Sequence, residues 1–186
     1  MRGHRRGFSL IEILIVIVLI GLMLSIVVPR FRISQFTKTR AAADQLARDL
    51  EAARSRALAT RSLARIVLDP AAGTYTGYLD NDRDGALAQS AVETAALEVF
   101  RTRGLDRDIQ FGRGSAPDVP GFAGPGSVTL PNSRVDFDSR GLTTPLGTSG
   151  VVYLRSATDT TAVTAVSVSA AAGIQTWSYR GGGQWQ

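Results

Sequence analysis

Apolar and polar residues follow three different patterns along the chain. Residues 8–28 are almost all apolar, and a helix of this length, at about 1.5 Å per residue, spans the hydrocarbon core of a membrane. We therefore predict a transmembrane or assembly helix over residues 8–29. Residues 30–65 repeat small apolar side chains at three- or four-residue steps or their multiples, which predicts an amphipathic continuation of the helix. The repeated positions are Ala42, Leu46, Leu50, Ala53, Ala57 and Ala64.

Residues 66–186 change to short apolar segments with turn signals between them. Gly112–Ser127 carries five glycines and three prolines and is predicted to be a long loop. We predict an α+β fold, in which the long N-terminal helix packs on a β-rich domain of about eight to nine short antiparallel strands. The predicted strands are Arg65–Asp69, Thr74–Leu79, Leu97–Arg101, Asp108–Phe111, Ser127–Leu130, Arg134–Asp138, Val151–Arg155, Val163–Ser169 and Ile174–Arg180.

Basic residues are concentrated before and after the apolar run. Residues 1–7 carry a charge of +3, residues 30–65 carry +6 and residues 66–186 carry −3. Positive flanks are typical of a membrane anchor, and the positive-inside rule places the N-terminal arginines in the cytoplasm. A secretory signal peptide is disfavoured because no small-x-small cleavage site follows the run. A plain uncleaved anchor remains an alternative.

The composition argues against an enzyme. Cysteine is absent, and His4 is the only histidine. This composition excludes Cys-His catalysis and, once the N-terminus is removed, Ser-His-Asp catalysis and the usual zinc sites. We predict neither catalysis nor a cofactor. Two pairs of alternating carboxylates share strand faces, but nothing indicates a pocket around them, so we interpret them as solvated strand edges. These pairs are Asp106/Asp108 and Asp136/Asp138.

The apolar run contains one ionisable residue, Glu12. A carboxylate within a membrane helix costs about 2.5–3.5 kcal/mol even on lenient insertion scales, so we interpret it as functional. Arg30 lies 18 residues further along, which is roughly 27 Å on a helix and out of reach. A free α-amine at Phe8 would be within reach, and it exists only if the chain is cut between Gly7 and Phe8.

The start of the chain closely resembles the class III signal of type IV pilins and type II secretion pseudopilins. A short basic leader ends in Gly7 and is followed by Phe8-Ser9-Leu10-Ile11-Glu12. The resemblance implies that a prepilin peptidase removes residues 1–7 by cleaving between Gly7 and Phe8, and methylates Phe8. It also implies that Glu12 pairs with the N-terminal amine of a neighbouring subunit. Pro29 matches a proline that kinks the helix in this family.

The order of elements after residue 65 is similar to that of the GspH/FimT minor pseudopilins. The matching features are an acidic, glycine-bearing turn, a Leu-Glu-Val-Phe-Arg strand, a Val-Asp-Phe-Asp-x-Arg-Gly strand and a terminal hairpin. The resemblance implies a minor pseudopilin of a type II secretion system, part of the pseudopilus tip that drives protein export across the outer membrane. The alternative is a minor type IV pilin that acts in pilus assembly or in DNA uptake during natural transformation.

The same resemblance implies a location and a set of partners. The chain would cross the bacterial inner membrane once and hold its globular domain in the periplasm. Its partners would be other major and minor pseudopilins, the prepilin peptidase, the inner-membrane assembly platform and, before assembly, membrane lipid. Nucleic acid is not expected as a partner.

An acidic turn follows the second predicted strand. Asp80, Asp82 and Asp84 have the spacing that begins a calcium-binding loop, in which alternate oxygen ligands precede a glycine. The twelfth position is Ala91, where an EF-hand needs a glutamate. We therefore favour a polar turn over a metal site.

The last predicted strand carries the residues that would support DNA binding. Trp177, Tyr179 and Arg180 could hold single-stranded DNA by stacking and one charge. However, the Gly-Arg-x-Arg motif of DNA-binding FimT-like proteins is replaced here by Gly173-Ile174-Gln175-Thr176. Since phosphate contacts need clustered Lys and Arg, we favour a half-buried strand.

Overall fold

The structure is a computed structural model of the chain, which divides into two compact units, Met1–Ser34 and Gln35–Gln186. The structure describes residues 10–27, 34–80, 87, 102–179 and 183–186. Within these ranges, the side chains of residues 24–27 are not described.

The first unit contains helix α1, Leu10–Val27. Its large apolar side chains between Leu10 and Met23 lie on every side of the helix and are 48% to 82% exposed. A helix that is apolar all round normally lies in a protein interior or in a membrane. Among the described residues, no helix combines the length and the apolar character needed to cross a bilayer. The membrane crossing by residues 8–29 stays a prediction.

The second unit begins with helix α2, Gln35–Thr60, which packs one face against the domain. Most of the repeated positions predicted from the sequence lie on this face, whereas Ala42 is only half buried. Small side chains on the face allow the helix to approach the strands closely. The buried residues are Thr39, Ala43, Leu46, Asp49, Leu50, Ala53 and Ala57.

Helix α2 ends at Thr60, and the predicted helix over residues 30–65 is therefore wrong in its last turn. Arg61 adopts a left-handed conformation with φ of 53°, and the Ser62 N–H donates to the Ala57 carbonyl at 3.3 Å. This arrangement is a Schellman motif, which ends a helix and redirects the chain. The periodicity did not reveal it, because arginine is a good helix former and glycine is the usual residue at this position.

Arg61→Gly should stabilise the second unit by about 1 kcal/mol, because glycine adopts a positive φ without the steric cost of a Cβ. The Arg61 side chain is exposed and makes no described hydrogen bond or ion pair. Urea denaturation monitored by tryptophan fluorescence would measure the change. Glycine at the exposed helical position Ser55 is the control and should cost about 0.5 kcal/mol, the difference in helix propensity between serine and glycine. Unchanged or lower stability of Arg61→Gly would contradict the prediction.

The described part of the second unit contains nine strands: β1 Ala64–Asp69, β2 Thr74–Leu79, β3 Arg103–Gly104, β4 Ile109–Phe111, β5 Arg134–Phe137, β6 Thr143–Thr144, β7 Gly150–Ser156, β8 Val163–Val168 and β9 Ile174–Tyr179. All pairings between them are antiparallel. One sheet has the order β3-β2-β1-β5-β6, and the other has the order β4-β7-β8-β9. The α+β architecture of a helix on a β-rich domain is confirmed.

The structure corrects the predicted strand Ser127–Leu130. Val128 forms only an isolated bridge with Val152. The Thr129 hydroxyl accepts the N–H of Val151 at 2.8 Å, so a side chain replaces the backbone acceptor and interrupts the ladder. Strands β3 and β6 were not predicted, because two residues are too short to show alternation. The predicted strand Leu97–Arg101 lies outside the described residues.

Strands β7 and β8 are buried on both faces. One face joins the core under α2, and the segment 112–127 together with Trp185 covers the other. In that segment, Val119 is fully buried and its N–H donates to the Tyr153 hydroxyl at 3.2 Å. This double coverage explains why neither strand alternates regularly between apolar and polar residues.

Candidate functional site

The first unit presents a single carboxylate on an apolar helix. Glu12 lies in the first turn of α1, and its side chain is exposed. A helix N-terminus carries a partial positive charge, which favours an acid at this position. Gly7, Phe8 and Pro29, the other residues predicted to act in processing and assembly, lie outside the described residues.

Glu12 has no counter-charge among the described residues of its unit. The described residues of this unit, 10–27 and 34, include no lysine, arginine or histidine. If the apolar surface of α1 is covered by lipid or by other helices, the carboxylate is desolvated and needs a positive partner. That partner must come from elsewhere in the chain or from another molecule.

Three of the four carboxylates considered for catalysis in the second unit, Asp108, Asp136 and Asp138, stabilise the fold. Asp136 accepts two hydrogen bonds from the Arg65 guanidinium, at 2.7 and 2.8 Å, and their side chains are only 10% and 16% exposed. Asp108 pairs with Lys38 at 2.6 Å. The interpretation of Asp136 as a solvated strand edge is therefore wrong: β1 and β5 are neighbours, and Arg65 lies opposite Asp136.

Asp138 stabilises the turn between β5 and β6. Partial burial opposes ionisation, but the backbone N–H groups of Leu142 and Arg140, and the Arg140 guanidinium, together hold the pKa of Asp138 below its usual range. Its carboxylate is therefore an acceptor in a turn, and its geometry does not suit a general acid.

A buried polar cluster joins α2 to β2 and β3. The Asp49 carboxylate accepts hydrogen bonds from the Tyr75 hydroxyl at 2.5 Å and from Gln45 Nε2 at 3.0 Å, and Arg103 Nε lies 3.1 Å from it. The Asp49 side chain is 9% exposed. The pattern of the sequence does not predict this cluster. The available signal was an acid at a helix position that faces the core, which needs a partner when buried.

The Tyr75 hydroxyl makes stability sensitive to alkaline pH. Burial, and then the hydrogen bond and the negative charge of Asp49, raise the pKa of Tyr75 well above its ordinary value. As the pH rises, the unfolded chain therefore loses this proton before the folded chain does. Above a pH of about 10, the equilibrium constant for unfolding increases by up to tenfold per pH unit, so the folded state becomes less stable.

Tyr75→Phe should remove this alkaline contribution. Urea denaturation at pH 9, 10 and 11 would show a smaller loss of stability for the variant than for the unchanged chain. Tyr78→Phe is the matched control, because Tyr78 lies on the same strand but on its other face. Parallel alkaline slopes for Tyr75→Phe and the unchanged chain would contradict the prediction.

The acidic turn is described only in part. Asp80 is buried at 2% exposure, and its N–H donates to the Leu63 carbonyl at 2.8 Å. Asp82 and Asp84 lie outside the described residues. Within the described ranges, no three acidic or histidine side chains come together as metal ligands.

The aromatic residues considered for DNA binding contribute to packing. Trp177 is half buried, and its Nε1 donates to the Ser167 hydroxyl at 2.9 Å. Tyr179 is buried, and the centre of its ring lies 5.4 Å from that of Trp185. Arg180 lies outside the described residues. Neither aromatic ring forms an open stacking platform.

Residues 2–28 match the family model of the prokaryotic N-terminal methylation motif. The match contains the basic leader, Gly7, Phe8 and Glu12, and it confirms the resemblance to pilin-type N-terminal signals. The motif implies a membrane-anchored N-terminus and a globular domain outside the cytoplasm. No curated protein matches the chain in sequence.

Two solved structures illustrate what the chain is similar to in fold. The type IV minor pilin FimU of Pseudomonas aeruginosa is 18% identical with a TM-score of 0.49, and the match covers 74% of this chain and 86% of FimU. The minor pseudopilin EpsH from the type II secretion system of Vibrio cholerae is 10% identical with a TM-score of 0.49, covering 76% of this chain and 97% of EpsH. These neighbours belong to two different machines and do not distinguish between them.

Proposed function

We propose that the chain is a minor pseudopilin of a type II secretion system and acts at the pseudopilus tip in protein export. The observation that carries the proposal is the N-terminal methylation motif, in which Glu12 is the single charge on a helix with apolar side chains all round. An exposed apolar surface of this extent marks a site that binds lipid or protein.

In this proposal, residues 1–7 stay in the cytoplasm until a prepilin peptidase cuts between Gly7 and Phe8 and methylates the new N-terminus. Residues 8–29 occupy the inner membrane before assembly. They then leave the lipid and pack among the same helices of neighbouring subunits, with Pro29 bending the helix. Both environments cover the apolar surface of α1.

Glu12 acts in the transfer from lipid to helical bundle. Its carboxylate neutralises the N-terminal amine of a neighbouring subunit, which would otherwise be a buried positive charge. An opposite-charge pair in an apolar layer is favourable only at close range. The pair between Glu12 and the neighbouring amine therefore also sets the axial position of one subunit relative to the next.

The second unit has a mechanical and recognition role in the periplasm, and the proposal assigns it no catalysis. Its partners are other major and minor pseudopilins and the inner-membrane assembly platform. Support comes from Asp136, Asp108 and Asp138, which are engaged by Arg65, by Lys38 and by turn N–H groups respectively.

A strain that lacks this chain tests the proposal directly. Secreted proteins and surface pili are measured on the same cells, and the unchanged gene is restored as the control. Secreted proteins trapped in the periplasm, with pili at normal number, would support type II secretion. Normal secretion with loss of pili or of DNA uptake would assign the chain to a type IV pilus and overturn the first choice.

A further inference from the structure

A groove of about 430 Å³ lies between α2 and the edge of the five-stranded sheet. This volume falls within the range of small-ligand and peptide sites. Its α2 wall has small side chains, and Leu105, partly buried against the core, contributes an apolar surface. The main lining residues are Ala41, Ala42, Gln45, Arg103, Gly104 and Leu105.

The sheet edge in this groove has open backbone groups. Among the described residues, strand β3 is the last strand of its sheet, and the Leu105 N–H donates to the Gly73 carbonyl at 2.8 Å, toward β2. Because successive residues of a strand direct their peptide groups to opposite sides, the N–H and C=O of Gly104 point away from β2. A Cβ at Gly104 would meet no described atom closer than Thr74 Cγ2 at 3.9 Å, so the face of the strand at Gly104 is uncrowded as well.

Arg103 provides an oriented positive charge beside this edge. Its Nε lies 3.1 Å from Asp49, whose carboxylate is held in turn by Tyr75 and Gln45. The Arg103 side chain is 51% exposed, and its remaining N–H groups make no hydrogen bond within the described residues. A guanidinium fixed through one nitrogen offers the others to a carboxylate.

Asp106 gives the groove a second, opposite charge. Its side chain is exposed and makes no hydrogen bond or ion pair within the described ranges. The groove therefore favours a ligand that carries an acid near Arg103, and it repels a ligand with acids along its whole length.

We propose that this groove binds an extended segment of a partner protein, which pairs with β3 at Gly104 and places one carboxylate side chain on Arg103. Backbone pairing with a sheet edge supplies affinity, and the side chain that meets the guanidinium supplies selectivity. The proposal involves neither α1 nor the methylation motif, so it stands or falls separately from the proposed function.

Peptide titration of the full chain in detergent micelles tests the proposal. The probe is the acetylated, amidated pentapeptide Thr-Val-Glu-Val-Thr, and its counterpart carries Gln in place of Glu. Nitrogen-15 NMR follows the Gly104 N–H and the Arg103 Nε–H. The Glu peptide should shift both signals and bind about tenfold more tightly than the Gln peptide, as expected for a charged hydrogen bond.

Three variants complete the test. Arg103→Gln should bring the affinity for the Glu peptide down to that for the Gln peptide, whereas Arg107→Gln, an exposed arginine outside the lining, should leave it unchanged. Ala41→Trp fills the groove from an exposed helix position and should abolish binding, although Arg103 and Asp49 are both retained. Equal binding of the two peptides, absence of shifts at Gly104, or full binding by Ala41→Trp would each overturn the proposal.

Discussion

Under the proposed function, Glu12→Ala should leave the chain correctly cleaved and methylated but reduce its incorporation into pseudopili by about 100-fold. The variant removes the carboxylate that would neutralise a neighbour's N-terminal amine inside an apolar helical layer. An unpaired charge in such a layer costs about 2.5–3.5 kcal/mol, and each 1.4 kcal/mol corresponds to a factor of ten. The measurement is the amount of the variant in sheared pseudopili relative to the amount in the membrane.

Two further substitutions separate charge from shape at this position. Glu12→Gln keeps the size and polarity but removes the charge, so it should fail like Glu12→Ala. Glu51→Ala removes an exposed acid of α2 and should assemble normally. Normal incorporation of Glu12→Ala would contradict the pairing mechanism, and failure of cleavage in that variant would show that Glu12 acts earlier, in processing.

The N-terminal segment could be interpreted from the sequence because its chemistry is local. Leader, Gly7, Phe8, Glu12 and the apolar run follow one another without interruption, so their order alone predicted the motif that residues 2–28 match. The amphipathic face of α2 was predictable for the same reason. Leu46, Leu50 and Ala53 are three or four residues apart in one helix, and this spacing places them on the same face.

The polar groups that hold the second unit together could not be predicted in this way. Asp49 meets Arg103 across 54 residues of sequence, and Arg65 meets Asp136 across 71. Each acid looks like a surface residue until the strand order is known. The pairing of β1 with β5 creates the second contact, and that pairing depends on sheet topology, which local patterns leave open.

The same limit explains the erroneous strand at Ser127–Leu130. Its apolar residues satisfy a strand pattern, but the hydroxyl of Thr129 competes with the backbone for the N–H of Val151. Such competition by a threonine side chain is decided by the position of its neighbour in space. The strand prediction for Ser127–Leu130 is therefore wrong because of a tertiary contact, which the periodicity of the sequence does not reveal.

Asp136→Ala should destabilise the second unit by about 3–5 kcal/mol, the cost of removing one member of a buried ion pair. Arg65 Nε and Nη2 donate to the two oxygens of Asp136, and Arg65 Nη1 donates to the Leu87 carbonyl at 2.9 Å. With the Arg65 side chain only 16% exposed, water cannot fully replace the lost carboxylate. Urea denaturation monitored by tryptophan fluorescence would measure the change in the free energy of unfolding.

The matched control is Glu51→Ala, which removes an ion pair of 3.9 Å between side chains that are 31% and 49% exposed, and it should cost less than about 1 kcal/mol. The double variant Arg65→Met/Asp136→Leu removes both charges and should regain most of the stability, because a buried pair is often no better than well-packed apolar side chains. If Asp136→Ala costs no more than Glu51→Ala, Arg65 is solvated in the folded chain. If the double variant is less stable than Asp136→Ala, the pair contributes through its own attraction, and the cost of removing one charge alone is not the dominant effect.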